Sequence, residues 1–281
     1  MRKRSRAAAH IYLVGMVLIY IVPVWLMVVT STRSSDGGGV FRDWSPFRFQ
    51  ALVPYDLDLG GYRDVMAVGS IFRASLVNTL IVCVIVVVAG AVVNFLAGFA
   101  FAYYDFQGKN MLFTTSLITF MVPFEAIVIP ILTLVQRLSL VDTLAALILP
   151  TLANGFLIFM FRQFFLGIPR EMYEAAMIDG AGVGRVIWHI YLPLSKSILV
   201  TSSIVLFLAV WQALFLPLVV LRSRDTWVVQ LALSAMQGTV QMPTWGPVLA
   251  GSVITLIIPM ILVAPFMRYF KLSVLEGSSR G

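Results

Sequence analysis

Apolar positions along the chain gather into six long runs, separated by shorter polar stretches. The runs lie near residues 11–30, 74–103, 112–135, 143–161, 196–220 and 247–268. Each holds roughly 20 or more predominantly apolar residues, enough for a helix to cross a hydrocarbon layer of about 30 Å. Strands fit the pattern poorly. A membrane-barrel strand alternates apolar and polar residues over about ten positions, and these runs are longer and do not alternate. The first run follows the basic segment Met1-Arg-Lys-Arg-Ser-Arg6, as a secretory signal would. It is long for a signal, and no small-residue cleavage site follows it, so it reads as an uncleaved first helix. Residues 31–72 form the longest polar segment, an expected extracytoplasmic loop, with turn chemistry in Ser34–Gly39 and at Pro46 and Pro54.

Composition strengthens this picture. Of 281 residues, 60% are hydrophobic and 12% charged, against roughly 25% charged in a soluble domain. One soluble core cannot hide so much apolar surface, so the bilayer must serve as the remaining solvent. The expected fold is an all-α membrane protein of about six transmembrane helices, a single domain over residues 1–281. The net charge of +7 would raise nucleic acid in a soluble chain. Here Lys and Arg sit at the ends and in loops, where they suit anionic lipid headgroups, so a nucleic-acid partner is set aside and membrane lipid is expected. Cys83 is the sole cysteine, and His10 and His189 are the two histidines. No internal disulfide and no metal cluster are therefore expected.

Orientation follows from the basic residues near the span ends. With the N-terminus inside, residues 1–10, 104–111, 162–196 and the C-terminus face the cytoplasm. Those segments carry twelve Lys and Arg against eight on the other side. Pro23, Pro123, Pro130, Pro150, Pro217, Pro259 and Pro265 fall inside predicted spans. Each removes a helix hydrogen bond and favours a bend, which suits either a bundle that bends around a path or ordinary membrane-helix composition.

The inward-facing segment 162–195 carries the most specific pattern. Pro169 is pre-organised for a first helical turn, and Glu171 and Glu174 sit near the N-terminus that the helix dipole makes favourable for carboxylates. Ala175 and Ala176 are strong helix formers, and Asp179-Gly180 supplies the stop. A second helical run, from Gly184 to Tyr191, ends at Pro193. Two short helices joined by a glycine turn are expected to project from the membrane. They could meet another protein, or lie on the lipid surface as an amphipathic loop.

The string Glu174-Ala-Ala-x-x-Asp179-Gly180-Ala181, followed by Ile190-x-Leu192-Pro193-Leu194, resembles the EAA loop of ATP-binding-cassette (ABC) importer permeases. Asn78-Thr-Leu80, Met121-Val-Pro123, Asp142-Thr143, Trp211 with Pro217, and Arg268-Tyr-Phe270 are similar to the carbohydrate branch, the second permease subunit of maltose-type systems. The resemblance implies a bacterial cell-membrane permease for sugars or sugar-like solutes. It also implies that Glu174, Ala175, Ala176, Asp179, Gly180 and Ala181 form a coupling loop docked on an ATPase. The implied partners are an ABC ATPase dimer, a second homologous permease and an extracytoplasmic solute-binding protein. ATP and Mg would be bound by the ATPase, with no cofactor in this chain, which has no phosphate-loop motif of its own. The chain departs from the pattern at Gln212, where many relatives have Asn, at Ser197, and in the tail Ser273–Gly281. The tail departure bears on any contact with the ATPase.

Candidate residues for a solute path follow from polarity. Glu125 is the one acidic residue well inside a predicted span, and a charge there costs several kcal/mol (roughly 2.5–3.5 for an Asp-like group) if it faces lipid. It is expected to face the bundle, either lining the path or packing in an interface. Asn94, Asn154 and Gln212 could bind solute or bridge helices. Trp211 could stack on a sugar face or simply pack. The competing classes are a gradient-driven secondary transporter and a membrane-bound enzyme, and neither accounts for the EAA-like loop.

Overall fold

A computed structural model describes residues 2–33, 41, 43, 44, 46–55, 57–237 and 245–266, with side chains from His10 onward. The Ser34–Gly39 turn, the basic side chains before His10, Arg268-Tyr-Phe270 and the tail Ser273–Gly281 lie outside the described residues. Among the described residues the chain is helical, and its one β contact is an isolated bridge between Trp44 and Phe47. Fourteen α-helices follow in order: α1 Arg2–Ser31, α2 Gly60–Met66, α3 Ile71–Tyr103, α4 Lys109–Met121, α5 Phe124–Arg137, α6 Ala145–Ile148, α7 Gly155–Leu166, α8 Arg170–Ile178, α9 Val183–Val186, α10 Leu192–Leu194, α11 Lys196–Trp211, α12 Phe215–Val220, α13 Val229–Gln237 and α14 Trp245–Val263.

Three helices are long and apolar enough to cross a membrane: His10–Ser31, Ile71–Tyr103 and Trp245–Phe266, the last closing in a 3-10 turn. Three further pairs reach that length only together. Lys109–Met121 and Phe124–Arg137 meet at 111°, Ala145–Thr151 and Gly155–Leu166 at 40°, and Val183–Leu194 and Lys196–Trp211 at 81°. The run expected as one span at 112–135 is therefore two limbs, α4 and α5. Each limb is only about 20 Å long. The run at 143–161 is likewise broken, and the run at 196–220 is interrupted at Gln212–Leu214 between α11 and α12. Proline explains the placing. Pro123 stands at the first break, Pro150 in the 3-10 turn before the second, and Pro193 just before the third. Each lacks the N–H that would continue the ladder. Pro23, Pro130 and Pro259 sit inside unbroken helices. Within the expected loop 31–72, α2 and a 3-10 turn at Phe49–Leu52 add order that hydropathy alone does not signal.

Contacts divide the chain into two units, residues 1–74 with 232–259, and residues 75–231 with 260–281. In the first, the segment after α1 is tied to the end of that helix by a buried ion pair. Arg33 lies 3.1 Å from Asp43, and both are almost fully buried. Tyr55 donates to the same carboxylate, and its ring lies under the guanidinium. Trp25 donates its indole N–H to Leu52 O at 3.0 Å. The ion pair offsets two charges that would otherwise be costly to bury, although the buried Arg33 Nε finds no acceptor among the described residues.

In the second unit, an aliphatic core gathers Val82, Val86, Leu147, Leu157, Leu206 and Leu231 from successive helices. Helices α4 and α7 approach closely, because a Cβ added at Gly155 would lie 1.9 Å from Ser116 O. Only a glycine fits there. Polar bonds fix the far connections. Asn78 donates to Asp225 O and Trp227 O at 2.7 and 3.0 Å, and Thr79 Oγ1 accepts from the Val229 amide at 2.8 Å. Asp142, left-handed at φ 63°, accepts from the Arg222 and Ser223 amides and from the Ser223 and Thr226 hydroxyls. The fragments Asn78-Thr79 and Asp142-Thr143 thus do structural work: they hold the chain between α12 and α13.

Candidate functional site

The segment between α7 and α11 is built as a hook. Pro169, at φ −55°, starts α8 one residue later, and Asp179 ends it. Gly180 then turns left-handed at φ 78° over open space. The Gly180 amide bonds Met177 O at 3.1 Å, and the Ala181 amide bonds Ala176 O at 3.0 Å. This is the Schellman closure, in which two otherwise orphaned carbonyls are satisfied by the residues after the helix. Small side chains at 176 and 181 meet across that closure. The two alanines and the Asp-Gly pair thus have a local physical reason before any partner is considered.

The hook has two faces. Tyr173, Ala176, Ala181 and Val183 turn inward against a cluster of rings that includes Phe95, Phe99, Phe161, Phe165 and Tyr191. Tyr103 stacks on Tyr173 at 5.2 Å, and Phe99 meets Tyr191 edge-on at 5.1 Å. Glu174, Ala175, Met177, Ile178, Asp179 and Gly180 point outward, with Ile178 86% exposed. The Glu174 carboxylate has no partner among the described residues. Of the six coupling candidates, the structure places four on the outer face and two, Ala176 and Ala181, on the inner one. Sequence reasoning missed the ring cluster, although its signal was present. Phe95, Phe99 and Tyr103 recur every four residues on α3, as Phe161 and Phe165 do on α7, the spacing of one helix face. After α9 the chain makes a π turn over Ile187–Tyr191, and α10 carries it into the bend before α11.

The path candidates do not form one cluster. Asn94 is fully buried. Its amide donates to Gly90 O and Leu152 O at 2.6 and 2.8 Å, and its carbonyl accepts from the Asn154 amide at 2.8 Å. Asn154 caps α7 by accepting from the Leu157 amide at 3.2 Å. These two amides bridge α3 to the break before α7. Trp211 is buried beside Phe207, with ring centroids 5.5 Å apart, and its carbonyl accepts from Gln230 at 3.1 Å. Gln212 is exposed in the α11–α12 break, and Glu125 is exposed in the first turn of α5, two residues after Pro123. Glu125 and Gln212 are thus the two path candidates on the accessible surface, each at a helix break.

Comparison with known proteins meets this geometry from another side. The family model described as "Binding-protein-dependent transport system inner membrane component" matches residues 90–271, a stretch that contains the ring cluster, the hook and both breaks. The arabinooligosaccharides transport system permease protein AraQ of Halalkalibacterium halodurans is 31% identical over 283 residues, covering 100% of this chain and 99% of that protein. The sn-glycerol-3-phosphate transport system permease protein UgpE of Yersinia pestis is 30% identical over 267 residues, covering 93% of this chain and 92% of its own. A crystal structure of a bacterial ABC transporter involved in the import of the acidic polysaccharide alginate shares the fold. The match has a TM-score of 0.80 and 23% identity, over 95% of this chain and 97% of that one. The chain belongs to the family of inner membrane components of binding-protein-dependent transport systems.

Proposed function

We propose that this chain is one of two homologous permease subunits of an ATP-driven ABC importer for sugars or sugar-like solutes, working by alternating access. The exposed outer face of the α8 hook carries the reading. A short, rigidly closed helix presenting Glu174, Ala175 and Ile178 suits a groove on a separate ATPase. The rings behind it suit transmission, because Tyr173 and Tyr191 pack on α3 and α7, so displacement of the hook displaces both helices. ATP and Mg belong to the ATPase dimer in this scheme. An extracytoplasmic solute-binding protein delivers the solute, and both termini and the hook face the cytoplasm. Glu125 and Gln212 are the side chains best placed to meet solute hydroxyls. The relatives support the solute class, since an arabinooligosaccharide and glycerol 3-phosphate are both hydroxyl-bearing solutes.

The test is Glu174→Lys. It should leave membrane insertion and abundance unchanged while abolishing binding-protein-dependent uptake, measured with a radiolabelled solute of the cognate binding protein. Normal uptake in that variant removes the coupling role. Uptake that persists in ATP-depleted vesicles under a proton gradient would favour a gradient-driven transporter instead.

A further inference from the structure

Between the α3–α4 connection and the end of α7 lies a polar cleft of about 380 Å³, lined by Asp105, Gly108, Lys109, Asn110 and Arg162 with Phe106 and Met111 at its edge. Two of the lining groups are cations from different elements. Arg162 is held in place. Its Nε donates to Phe101 O at 3.3 Å, and its guanidinium lies 4.3 Å from the centre of the Phe113 ring. Its two terminal nitrogens, with four donors, have no partner among the described residues. Lys109 spends one of its three donors on Asp105 at 3.0 Å. Lys109 and, more weakly, Arg170 of α8 hold the Asp105 carboxyl below its ordinary range, so it stays ionised and offsets one cation. Against that carboxylate stand Lys109 and Arg162, which leaves the lining with an excess positive charge. Gly108 offers no side-chain cap to α4. The Lys109 amide is taken by Phe106 O at 3.2 Å, and the next amides of the first turn add to an attraction that the cations already supply.

The surroundings say which anion fits. The apolar run of α4 begins at Met111, on the rim of the cleft. Met111 and Leu112 are 76% and 56% exposed, and Phe106 is exposed beside them. An occupant therefore meets fixed cationic donors on one side and bare apolar side chains on the other. A free anion satisfies only the first. We propose that this cleft binds the phosphate of an anionic phospholipid headgroup, held by Arg162 and Lys109, with its acyl chains lying along Met111 and Leu112. Basic pockets at the ends of membrane helices suit such headgroups. The cleft begins one residue after Tyr104, whose ring meets Phe99 of the ring cluster edge-on at 6.1 Å.

The experiment uses the full-length chain with its accompanying subunits, reconstituted in vesicles, with Asn110→Cys in a Cys83→Ser background. Labelling by an uncharged maleimide is timed in phosphatidylcholine alone and in phosphatidylcholine with phosphatidylglycerol. Phosphatidylglycerol should slow labelling about fivefold for each cationic contact, and Arg162→Gln should remove most of that protection. Lys109→Gln, which leaves the Phe113 stacking intact, serves if Arg162→Gln fails to insert. Millimolar inorganic phosphate in phosphatidylcholine vesicles should give no protection. Equal rates in the two lipids overturn the proposal, as does protection that survives both substitutions. Protection by inorganic phosphate equal to that by lipid overturns it in favour of a soluble-anion site.

Discussion

The Asp142 carboxylate gathers four donors from Arg222, Ser223 and Thr226, and its own amide donates to Val220 O at 2.8 Å. The Ser223 hydroxyl, then the Thr226 hydroxyl and the two amides, hold this carboxyl well below the usual carboxylate range. A depressed carboxyl stabilises the fold above its unfolded value, near 3.9, and loses that contribution as pH falls through the folded value. Hydrogen exchange at Arg222 and Ser223 should therefore stay protected from about pH 8 down to about pH 5 and open only in strongly acidic solution. In Asp142→Asn the same amides should exchange faster wherever Asp142 of the parent is ionised, since the amide keeps one acceptor and no charge, and the difference should close in strongly acidic solution. Mass-spectrometric exchange on the detergent-solubilised chain reads both outcomes. Side chains of this kind were only half legible in advance. Asp142-Thr143 stood out as a fragment, but its partners lie some eighty residues away, where no local pattern points. Asn94 and Asn154 were legible as polar groups in apolar runs. That they bond each other follows from the meeting of α3 with the α7 break, which is a tertiary fact.

At the scale of elements, apolar runs located the spans and turn chemistry located the hook, because both depend on neighbours in sequence. Pro169 and Asp179-Gly180 mark the ends of α8 to within a residue. The bends were less legible. Seven prolines lie in apolar runs, yet chain breaks occur beside only some of them. A helix breaks only if nearby groups can take up the freed backbone bonds. Close packing adds a further constraint, which Gly155 shows most sharply. Gly155→Ala should force Ser116 and the α4 backbone away from α7 and cost roughly 2 kcal/mol. The comparison is Gly182→Ala, where nothing lies within 4 Å of the added carbon. Thermal unfolding in detergent should lower the midpoint clearly for the first and leave the second near the parent value.

For the molecule as a whole, apolar runs and charge made its class plain, while the solute path could not be read as one site. Glu125 and Gln212 are exposed at separate breaks, and Asn94, Asn154 and Trp211 are committed to internal contacts. A path that this chain only partly lines is what a two-permease assembly would give. Glu125→Gln should then lower uptake severalfold with unchanged abundance and unchanged ATPase association, measured in vesicles. Unchanged uptake and solute range would exclude Glu125 from the path. The break at Val122-Pro123 also bears on how the protein is made. Each limb beside it is about 20 Å long, too short to anchor itself across a layer of about 30 Å. Neither limb can be released into lipid in its final pose while the other is still being synthesised. Helix α4 packs on α7 and α5 on α12, and both of those partners emerge from the ribosome later. The 111° corner is therefore expected to close only after α7 and α12 have been synthesised.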